Sequence, residues 1–392
     1  MGPISLRKYY DFAANVFNIY LLTIFEPKNL QLNNIYMLRN IPSFLVLILF
    51  LTSFLTWSQD QKYRVETVAF YNLENLFDVE NDPNKLDERS PIMEMDSAVR
   101  PKVYKKKIAN MAKVISKIGT DFTGMPPAIV GVCEVENDDV LLDLVNHSRL
   151  RPYNYGIVHH ESPDERSIDT GLLYQKSQFI PTNSIAHEVL IYKNNDKSDR
   201  NETRDVLVVS GKLRGEDFHF IVNHWPSRSG GQKRSEPGRV AAAKVAKKAI
   251  DSLQVLDPYA KIMVMGDFND GPYNKSVAEV IGAKFDKDEV GLKEFYNPYE
   301  EIRKKGGGTI AYRGSWDIFD QIFFTEPLLN SEDYSEFRYF KSGIFAPTFL
   351  QNPRGRWKGY PFRSFSGGGF SGGYSDHFPV FVYLIREIEE EK

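Results

Sequence analysis

The chain has 392 residues, of which 42% are hydrophobic and 26% are charged, and these fractions are typical of a soluble globular protein. The formal net charge of −3 excludes a general polyanion-binding field, so nucleic-acid binding would require a local basic patch. The single cysteine, Cys133, excludes an intrachain disulfide, and its apolar neighbours predict a buried core thiol.

The first recognisable segment in chain order is an N-terminal export signal. Residues 44–56 form an uncharged apolar block, which is shorter than the ~20 residues that span a bilayer. Arg39 supplies a positive charge before the block, and small residues after it precede a cleavage position at Gln59. We predict that residues 1–58 hold an over-extended start and a signal peptide, or alternatively an uncleaved membrane anchor. The domain at 59–392 is then expected in the periplasm or outside the cell.

From Val65 onward, strand-like stretches alternate with helix-like stretches. The predicted strands are Arg64–Tyr71, Pro126–Val132, Gly171–Tyr174, Val206–Leu213, Phe218–Asn223, Lys261–Met265, Phe319–Phe324 and Val380–Ile385. The predicted helices are Val103–Ile118, Asp138–Val145, Val240–Ser252 and Ser276–Ile281, and the predicted loops are Lys304–Gly308 and Phe365–Gly373. Strands near both ends with helices between them predict one α/β domain, in which a sandwich of two sheets is flanked by helices.

Carboxylates follow the first two predicted strands. Glu74 lies after the first strand and Glu134 after the second, where α/β proteins commonly place functional residues. Mg²⁺ prefers oxygen ligands, typically one or two carboxylates together with phosphate and water. Both residues are therefore candidate metal ligands, and the alternative for each is a solvated charge at a strand end.

Basic residues and a histidine precede or follow the next strands. Arg166 and Asp169 lie just before a strand, where they either contact substrate or form a loop salt bridge. His224 ends the strand Phe218–Asn223, a position suited to acid–base chemistry, or it is a structural loop histidine. Arg228, followed by Ser-Gly-Gly, offers a guanidinium and exposed backbone amides that suit phosphate.

The string Gly-Asp-Phe-Asn-Asp follows the strand Lys261–Met265. Asp267 and Asn269 are two residues apart, so in an extended segment their side chains face the same way. The carboxylate can accept a proton from water and the amide can donate to a phosphoryl oxygen. An ordinary turn is the alternative interpretation of this string.

The last polar group comes from the C-terminal third of the chain. Asp320 lies inside an apolar strand, and a buried carboxylate requires a partner. His377, in Ser-Asp-His-Phe-Pro, is the natural partner, because an aspartate can orient an imidazole and stabilise its charged form. Asp376 can then reach a metal while His377 faces a phosphate; a plain polar turn is the alternative.

Taken in order, these strings resemble the endonuclease/exonuclease/phosphatase superfamily, from about Val65 to Leu384. The resemblance implies a four-layered α/β sandwich with two packed mixed β-sheets and an active site between the sheets. It also implies that Asn72 contacts the phosphate or orients the site, and it places His224 where deoxyribonuclease-like members carry a second catalytic histidine. One departure is Cys133, where the family usually has glutamine before the metal-binding glutamate.

These observations predict a metal-dependent phosphoesterase, most specifically a monomeric nuclease that uses Mg²⁺, with Mn²⁺ or Ca²⁺ as alternatives. In the predicted mechanism, Asp267 or the Asp320–His377 pair activates water, and His224 protonates the leaving alkoxide. A phosphomonoesterase or a lipid phosphodiesterase acting on inositol phosphate or phospholipid is the second hypothesis. A non-catalytic exported binding protein is the third, and no obligate protein partner is expected.

Overall fold

The computed structural model describes residues 62–192, 196 and 198–388. The chain divides into two compact units. The helices and strands described below belong to the unit Val65–Ile385, except for the outer ends of the first and last strands. The other unit, Met1–Arg64 with Arg386–Lys392, contains the predicted export signal, which lies outside the described residues. No helix in the described part of the chain is long and apolar enough to span a membrane.

The strands and helices alternate along the chain, as the sequence predicts. The strands are β1 Lys62–Leu76, β2 Ile129–Val135, β3 Tyr155–His159, β4 Asp169–Gln175, β5 Phe179–His187, β6 Val206–Leu213, β7 Glu216–His224, β8 Ile262–Asp267, β9 Ala283–Lys284, β10 Phe295–Tyr296, β11 Ile310–Tyr312, β12 Ser315–Asp317, β13 Asp320–Thr325, β14 Arg338–Ile344, β15 Phe365–Ser366, β16 Gly369–Phe370 and β17 Val380–Ile388. The helices are α1 Arg100–Ile115, α2 Thr120–Thr123, α3 Asp138–Asn146, α4 Gln232–Leu256 and α5 Tyr299–Lys304, with a π-helical turn at Ser276–Ile281. Short 3-10 turns lie at Asp87–Arg89, Arg151–Tyr153, Lys287–Glu289, Glu326–Leu329, Thr348–Leu350 and Gly355–Trp357.

Two mixed sheets form the centre of the domain. The first has the strand order β14-β17-β1-β2-β4-β3, and the second has the order β5-β6-β7-β8-β13-β10-β9. In the first sheet β1 and β2 are parallel, and in the second β7 and β8 are parallel. The carboxyl ends of each parallel pair therefore lie at the same edge of their sheet.

Successive side chains of each strand point to opposite faces of its sheet, so each sheet packs against the other sheet on one face and against helices on the other. Val68 and Phe70 of β1 belong to a buried cluster shared with Met265 of the second sheet, and this cluster separates the two sheets. Ala69 and Tyr71, which point the other way, pack in a cluster with residues of α1 and α3. A third cluster joins the outer face of the second sheet to α4. Helix, sheet, sheet and helix thus form the four layers, and the predicted fold class is confirmed.

Helix α4 approaches its sheet closely because its buried face is made of small side chains. Ala242, Ala246, Ala249 and Ile250 recur at the spacing of one helical face and are buried against the sheet. The opposite face carries lysines. This Ala/Lys pattern is the feature from which the helix is predicted.

Several predicted boundaries need correction. The strand predicted at Pro126–Val132 is Ile129–Val135, because Pro126 and Pro127 lack the N–H that a sheet ladder uses. The helix predicted from Val240 begins at Gln232 and includes Pro237 near its start. The predicted loop Phe365–Gly373 contains the small hairpin of β15 and β16. The paired strands predicted at Val206–Leu213 and Phe218–Asn223 are confirmed as an antiparallel pair.

Candidate active site

The polar residues predicted for the site lie at one edge of the sandwich. Asn72 and Glu134 lie near the carboxyl ends of the parallel strands β1 and β2, and His224 and Asp267 end the parallel strands β7 and β8. Asp320 begins β13 and pairs with Asp267 across the sheet. The two sheets therefore deliver their polar strand ends to a common place.

Asn72 connects the two sheets. Its amide Nδ2 donates to Glu134 Oε1 at 3.0 Å and to Asp267 Oδ2 at 3.1 Å, and the side chain is fully buried. Its Oδ1 accepts a hydrogen bond from the backbone N–H of Glu74 at 2.8 Å. One amide thus orients a carboxylate of each sheet, and contact of Asn72 with a phosphate stays a prediction.

The backbone turns sharply where the strands end. Glu74, Asn75, Glu134 and Asn269 have φ values of 47°, 53°, 58° and 49°, which is the left-handed region that non-glycine residues rarely adopt. The backbone N–H of Asn75 donates to Glu134 Oε2 at 3.0 Å. Such conformations persist where surrounding contacts fix them, and they cluster at functional sites.

The structure pairs Asp320 with His377. His377 Nδ1 lies 2.7 Å from Asp320 Oδ2, and both side chains are buried. His377 Nε2 faces Asp267 Oδ2 at 3.7 Å and Asp376 Oδ1 at 4.0 Å. Burial opposes the imidazolium, but the carboxylates of Asp320 and Asp267 raise the pKa of His377 well above its ordinary value. The site therefore favours a protonated His377.

Asp267 lies at the centre of the group. Its Oδ1 accepts from the backbone N–H of Asn269 at 2.9 Å, while Asn269 Nδ2 donates to the carbonyl oxygen of Trp225 at 3.0 Å. Burial raises the pKa of Asp267 to about 6, although the positive charge of His377 opposes the rise. The carboxylate is thus ionised at neutral pH and still basic enough to accept a proton.

His224 is buried beside the same carboxylates. Its Nε2 lies 3.8 Å from Glu134 Oε1 and 3.9 Å from Asp267 Oδ2, and its Nδ1 has no hydrogen-bond partner in the described part of the chain. Burial, reinforced by the positive charge of Arg204, lowers the pKa of His224 well below its ordinary value. The imidazole is therefore neutral, whereas the sequence-based mechanism requires a protonated one.

Arg204 is a supporting residue that sequence reasoning missed. This buried arginine donates to the backbone carbonyl oxygens of His224 at 3.2 Å and Trp225 at 2.9 Å, and it pairs with Asp164 at 3.1 Å. It fixes the strand end that carries His224. Its sequence neighbourhood, Glu-Thr-Arg-Asp before a strand, gives no signal of burial.

The two arginines predicted to bind substrate are engaged with the protein. Arg228 donates to the carbonyl oxygen of Asn269 at 2.8 Å and to Asn274 Oδ1 at 3.1 Å, and its guanidinium lies 4.4 Å from the ring centre of Phe319. Arg166 is half exposed, with Nε 3.6 Å from Asp164 Oδ1, so the loop salt bridge considered as an alternative is present. A direct substrate role for either residue stays a prediction.

The remaining predicted metal ligands lie beside a third arginine. Arg363 Nη2 is 2.8 Å from Asp376 Oδ2, and its Nε is 3.4 Å from Glu74 Oε1. Burial and the negative charge of Asp376 raise the pKa of Glu74 to about 7. Buried Lys107 of α1 carries the compensating charge, and no sequence pattern distinguishes it from the other lysines of this helix.

Acidic and histidine side chains of the site fit a divalent cation. Ligand atoms of Asp267, Asp320 and His377 lie within 4.8 Å of one another, as do those of Cys133, His224 and Asp267. Burial, and then the charge of Asp376, raise the pKa of Glu134, which signals excess negative charge. Asp320 Oδ1 is buried without a hydrogen-bond partner among the described residues. Carboxylate oxygens are the ligands that hard cations prefer, and burial keeps the Cys133 thiol protonated.

A further His–carboxylate group lies on the outer strands of the first sheet. The ring nitrogens of His159 each lie 3.2 Å from a carboxylate, Nδ1 from Asp138 and Nε2 from Asp169. Glu161 completes this group, whose ligand atoms also lie within 4.8 Å of one another. Since both ring nitrogens already face carboxylates, the arrangement is that of an ion-paired imidazolium.

The chain is similar in sequence to a known protein family and in fold to solved structures. A family model described as "Endonuclease/Exonuclease/phosphatase family" matches residues 67–386. No curated protein matches the sequence. An endonuclease/exonuclease/phosphatase family protein from Bacteroides thetaiotaomicron is similar in structure, with a TM-score of 0.51 and 16% identity over 83% of this chain and 100% of that chain.

Two further solved structures show weaker similarity. A mannosyl-6-phosphatase of Bacteroides thetaiotaomicron has a TM-score of 0.48 and 16% identity over 81% of this chain and 99% of that chain. TDP2 of D. rerio, complexed with single-strand DNA product, has a TM-score of 0.45 and 15% identity over 82% of this chain and 98% of that chain. Similarity at this level assigns no substrate.

Proposed function

Since the chain belongs to the endonuclease/exonuclease/phosphatase family, whose members hydrolyse phosphoester bonds, we propose that it is a metal-dependent nuclease. The observation that carries the proposal is the buried group in which Asn72 joins Glu134 to Asp267, and Asp267 faces His377. This group combines a basic carboxylate, a protonated imidazole and a surplus of negative charge. A basic carboxylate can accept a proton from water, an imidazolium can donate to a phosphoryl oxygen, and the surplus negative charge can bind a divalent cation.

We propose that Glu134 and Asp376 hold the metal, with Mg²⁺ as the ion and Mn²⁺ or Ca²⁺ as alternatives. A divalent ion bound there would supply positive charge against the charge that develops on the phosphoryl oxygens. The support is the surplus of carboxylates around Glu134, whose pKa is raised by burial and by Asp376. Asn72 orients Glu134 through its amide.

Asp267 accepts the proton of the attacking water in this proposal. Asn72 and the N–H of Asn269 fix its two oxygens, and a pKa of about 6 suits a general base near neutral pH. His377, which Asp320 keeps protonated, donates a hydrogen bond to a non-bridging phosphoryl oxygen. His224 is neutral and serves the leaving oxygen as a hydrogen-bond donor, in place of the proton transfer expected from sequence. The P–O bond breaks to release an alkoxide, which takes its proton from the solvent.

The preference for a nucleic acid rests on the positive charge of the exposed segment that precedes Arg363. Arg354, Arg356 and Lys358 are exposed on the segment that leads to Arg363 and the carboxylates. The guanidinium of Arg356 lies 4.4 Å from the ring centre of Trp357. Exposed cations and rings on one segment suit a substrate with successive phosphates and bases.

The test is hydrolysis by the purified protein with Mg²⁺, Mn²⁺, Ca²⁺ or a chelator. Plasmid DNA, RNA, sphingomyelin and an inositol polyphosphate are offered in parallel, with His377→Ala as the control variant. Metal-dependent nicking of plasmid that disappears in the variant is the expected result. Cleavage of the lipid or the inositol phosphate alone would support the proposed mechanism and refute the nucleic-acid substrate. Hydrolysis of none of the four would favour a non-catalytic binding protein.

We also propose that the protein is exported, as the sequence of residues 44–56 indicates. Expression of the full chain in a bacterium, followed by N-terminal sequencing of the periplasmic and culture fractions, tests this. A mature N-terminus at Gln59 is expected. A full-length product that stays with the membrane would instead support the uncleaved anchor.

A further inference from the structure

Glu74 is bound on both carboxylate oxygens by one short segment of the chain. Its Oε2 accepts the backbone N–H of Ser364 at 2.5 Å. Its Oε1 accepts the backbone N–H of Phe365 and Arg363 Nε, each at 3.4 Å. The side chain is buried, with 2% of its surface exposed. These contacts tie the end of β1 to the segment that precedes Ser375-Asp376-His377.

Lys107 holds the same segment from the other side. This fully buried lysine of α1 donates from Nζ to Ser364 Oγ at 2.5 Å and to the carbonyl oxygen of Tyr374 at 3.0 Å. On the next turn of α1, Asn110 Nδ2 donates to the carbonyl oxygen of Gly373 at 2.6 Å. The charge of Glu74 is thus compensated by lysine and arginine within the protein. A carboxylate compensated in this way attracts a divalent cation less than one without such partners. Asp376 also contacts Arg363, but only through Oδ2, and no hydrogen bond within the described residues engages its Oδ1.

Arg363 is the residue that this arrangement places at the mouth of the site. Its Nη2 contacts Asp376 Oδ2 at 2.8 Å, and 55% of its side chain is exposed. Its Nη1 makes no hydrogen bond within the described residues. Nη1 can therefore donate to phosphate oxygens while the other two nitrogens hold the guanidinium in place.

The other two candidate arginines do not compete for this role. Arg228 uses Nε and Nη2 on the turn that contains Asn269 and Asn274, and it lies against Phe319. Arg166 pairs with Asp164 in a loop. Arg363 alone of these three arginines contacts a carboxylate that is a candidate metal ligand, Asp376.

We propose that Glu74 is a positioning residue and not a metal ligand: it fixes Arg363, and Arg363 binds the non-bridging oxygens of the substrate phosphate. The inference rests on the proposed phosphoesterase function. It removes Glu74 from the metal ligands predicted from the sequence and adds Arg363 to the residues that bind substrate. Metal binding then depends on Glu134 and Asp376, while phosphate binding depends on the Glu74–Arg363 pair.

The test separates metal binding from phosphate binding. Mn²⁺ binding to the full chain is measured by electron paramagnetic resonance for the wild type, Glu134→Gln, Glu74→Gln and Arg363→Ala. We expect the Mn²⁺ dissociation constant to rise about 10-fold or more in Glu134→Gln and to change less than about twofold in Glu74→Gln. It should not rise in Arg363→Ala, because that change removes a positive charge from Asp376. A rise in Glu74→Gln equal to that in Glu134→Gln would show that Glu74 is a ligand.

Binding of inorganic phosphate in the presence of Mn²⁺ is then measured by calorimetry. Arg363→Ala should weaken it about 10-fold, Glu74→Gln by a similar factor, and Arg363→Lys by less. The matched control is Arg151→Ala, an exposed arginine of the 3-10 turn Arg151–Tyr153, which should leave it unchanged. Unchanged phosphate affinity in Arg363→Ala would overturn the proposal. Because the side chain of Arg363 is exposed, this substitution should not disturb folding.

Turnover of the substrate found in the hydrolysis panel completes the test. Arg363→Ala should raise KM with a smaller effect on kcat, because the arginine binds both ground state and transition state. A fall in kcat with unchanged KM would contradict a binding role. A wild type that binds Mn²⁺ and phosphate but hydrolyses no ester would refute the proposed function and leave this assignment standing.

Discussion

At the residue scale, the hydrogen bond between Asp320 and His377 determines the charge in the site. We predict that Asp320→Asn and His377→Ala each lower kcat by about 10²–10⁴, because the imidazolium is lost in both. The double variant should be hardly slower than the slower single variant, because the two side chains act as one unit. Steady-state kinetics of the three variants measure this, with thermal unfolding as the control for folding. Multiplicative losses would show that the two residues act separately.

Asp205, which immediately precedes β6, provides a pH-dependent contribution to stability away from the site. Burial raises its pKa from 3.8 to about 6, and its Oδ1 has no hydrogen-bond partner among the described residues. The charged groups that face it are Glu188, Asp169 and Arg200. Between about pH 4 and pH 6 the folded protein keeps a proton that the unfolded chain releases, so stability falls as the pH rises. Above pH 6 Asp205 is ionised in both the folded and the unfolded state, so the loss of stability that it causes is constant.

We therefore predict that Asp205→Asn stabilises the protein at neutral pH. The gain should be on the order of 1 kcal/mol after allowance for the half-exposed position, and it should vanish near pH 4. Urea unfolding of both proteins at several pH values measures the difference. A gain that is the same at every pH would attribute the effect to something other than the titration of Asp205.

At the element scale, the contact between β7 and β8 sets the distance between His224 and Asp267. A Cβ on Gly266 would lie 2.4 Å from the carbonyl oxygen of Asn223 and 2.8 Å from its Cβ. Since the nearest atom is backbone, the strands would have to separate. Glycine in this motif thus permits the close approach of two parallel strands.

We predict that Gly266→Ala lowers the free energy of unfolding by about 1–3 kcal/mol and lowers activity beyond that loss. Gly369→Ala in the small hairpin is the matched control, because no atom lies within 4 Å of its Cβ position. Urea unfolding and steady-state kinetics are measured on both variants. Equal effects of the two substitutions would refute the steric argument.

Elements that are buried and periodic could be predicted from the sequence, whereas exposed ones could not. β6 and β7 show apolar patterns and were predicted with their pairing. β5 could not be predicted, because Phe179 is the only buried residue of Phe179–His187 and the strand shows no apolar alternation. The pair Asp320–His377 could be predicted, since an aspartate in an apolar strand requires a partner. Arg204 and Lys107 could not, because the burial of a lone basic residue depends on the tertiary packing of distant segments.

At the scale of the whole molecule, the site exists only when the two sheets are packed. Glu134 belongs to the first sheet and Asp267 to the second, and Asn72 joins them. Burial raises the pKa of Glu134, and the carboxylates of Asp376 and Asp267 raise it further. A bound divalent cation should therefore stabilise the fold.

We predict that Mg²⁺ at 100 times its dissociation constant stabilises the folded protein by about 2.7 kcal/mol, which raises Tm by about 5 °C. A chelator should reverse the rise, and Glu134→Gln should abolish it. Thermal unfolding followed by circular dichroism measures this. A rise of equal size in Glu134→Gln would place the ion elsewhere.

The single cysteine gives the native chain a probe of its own. Cys133 is fully buried between the sheets, immediately before Glu134, and its raised pKa makes the thiol unreactive in the closed state. A thiol reagent can modify it only when the sandwich opens, so the rate of labelling reports the free energy of that opening. The same rate, followed with and without metal, measures how strongly the active site holds the two halves of the protein together.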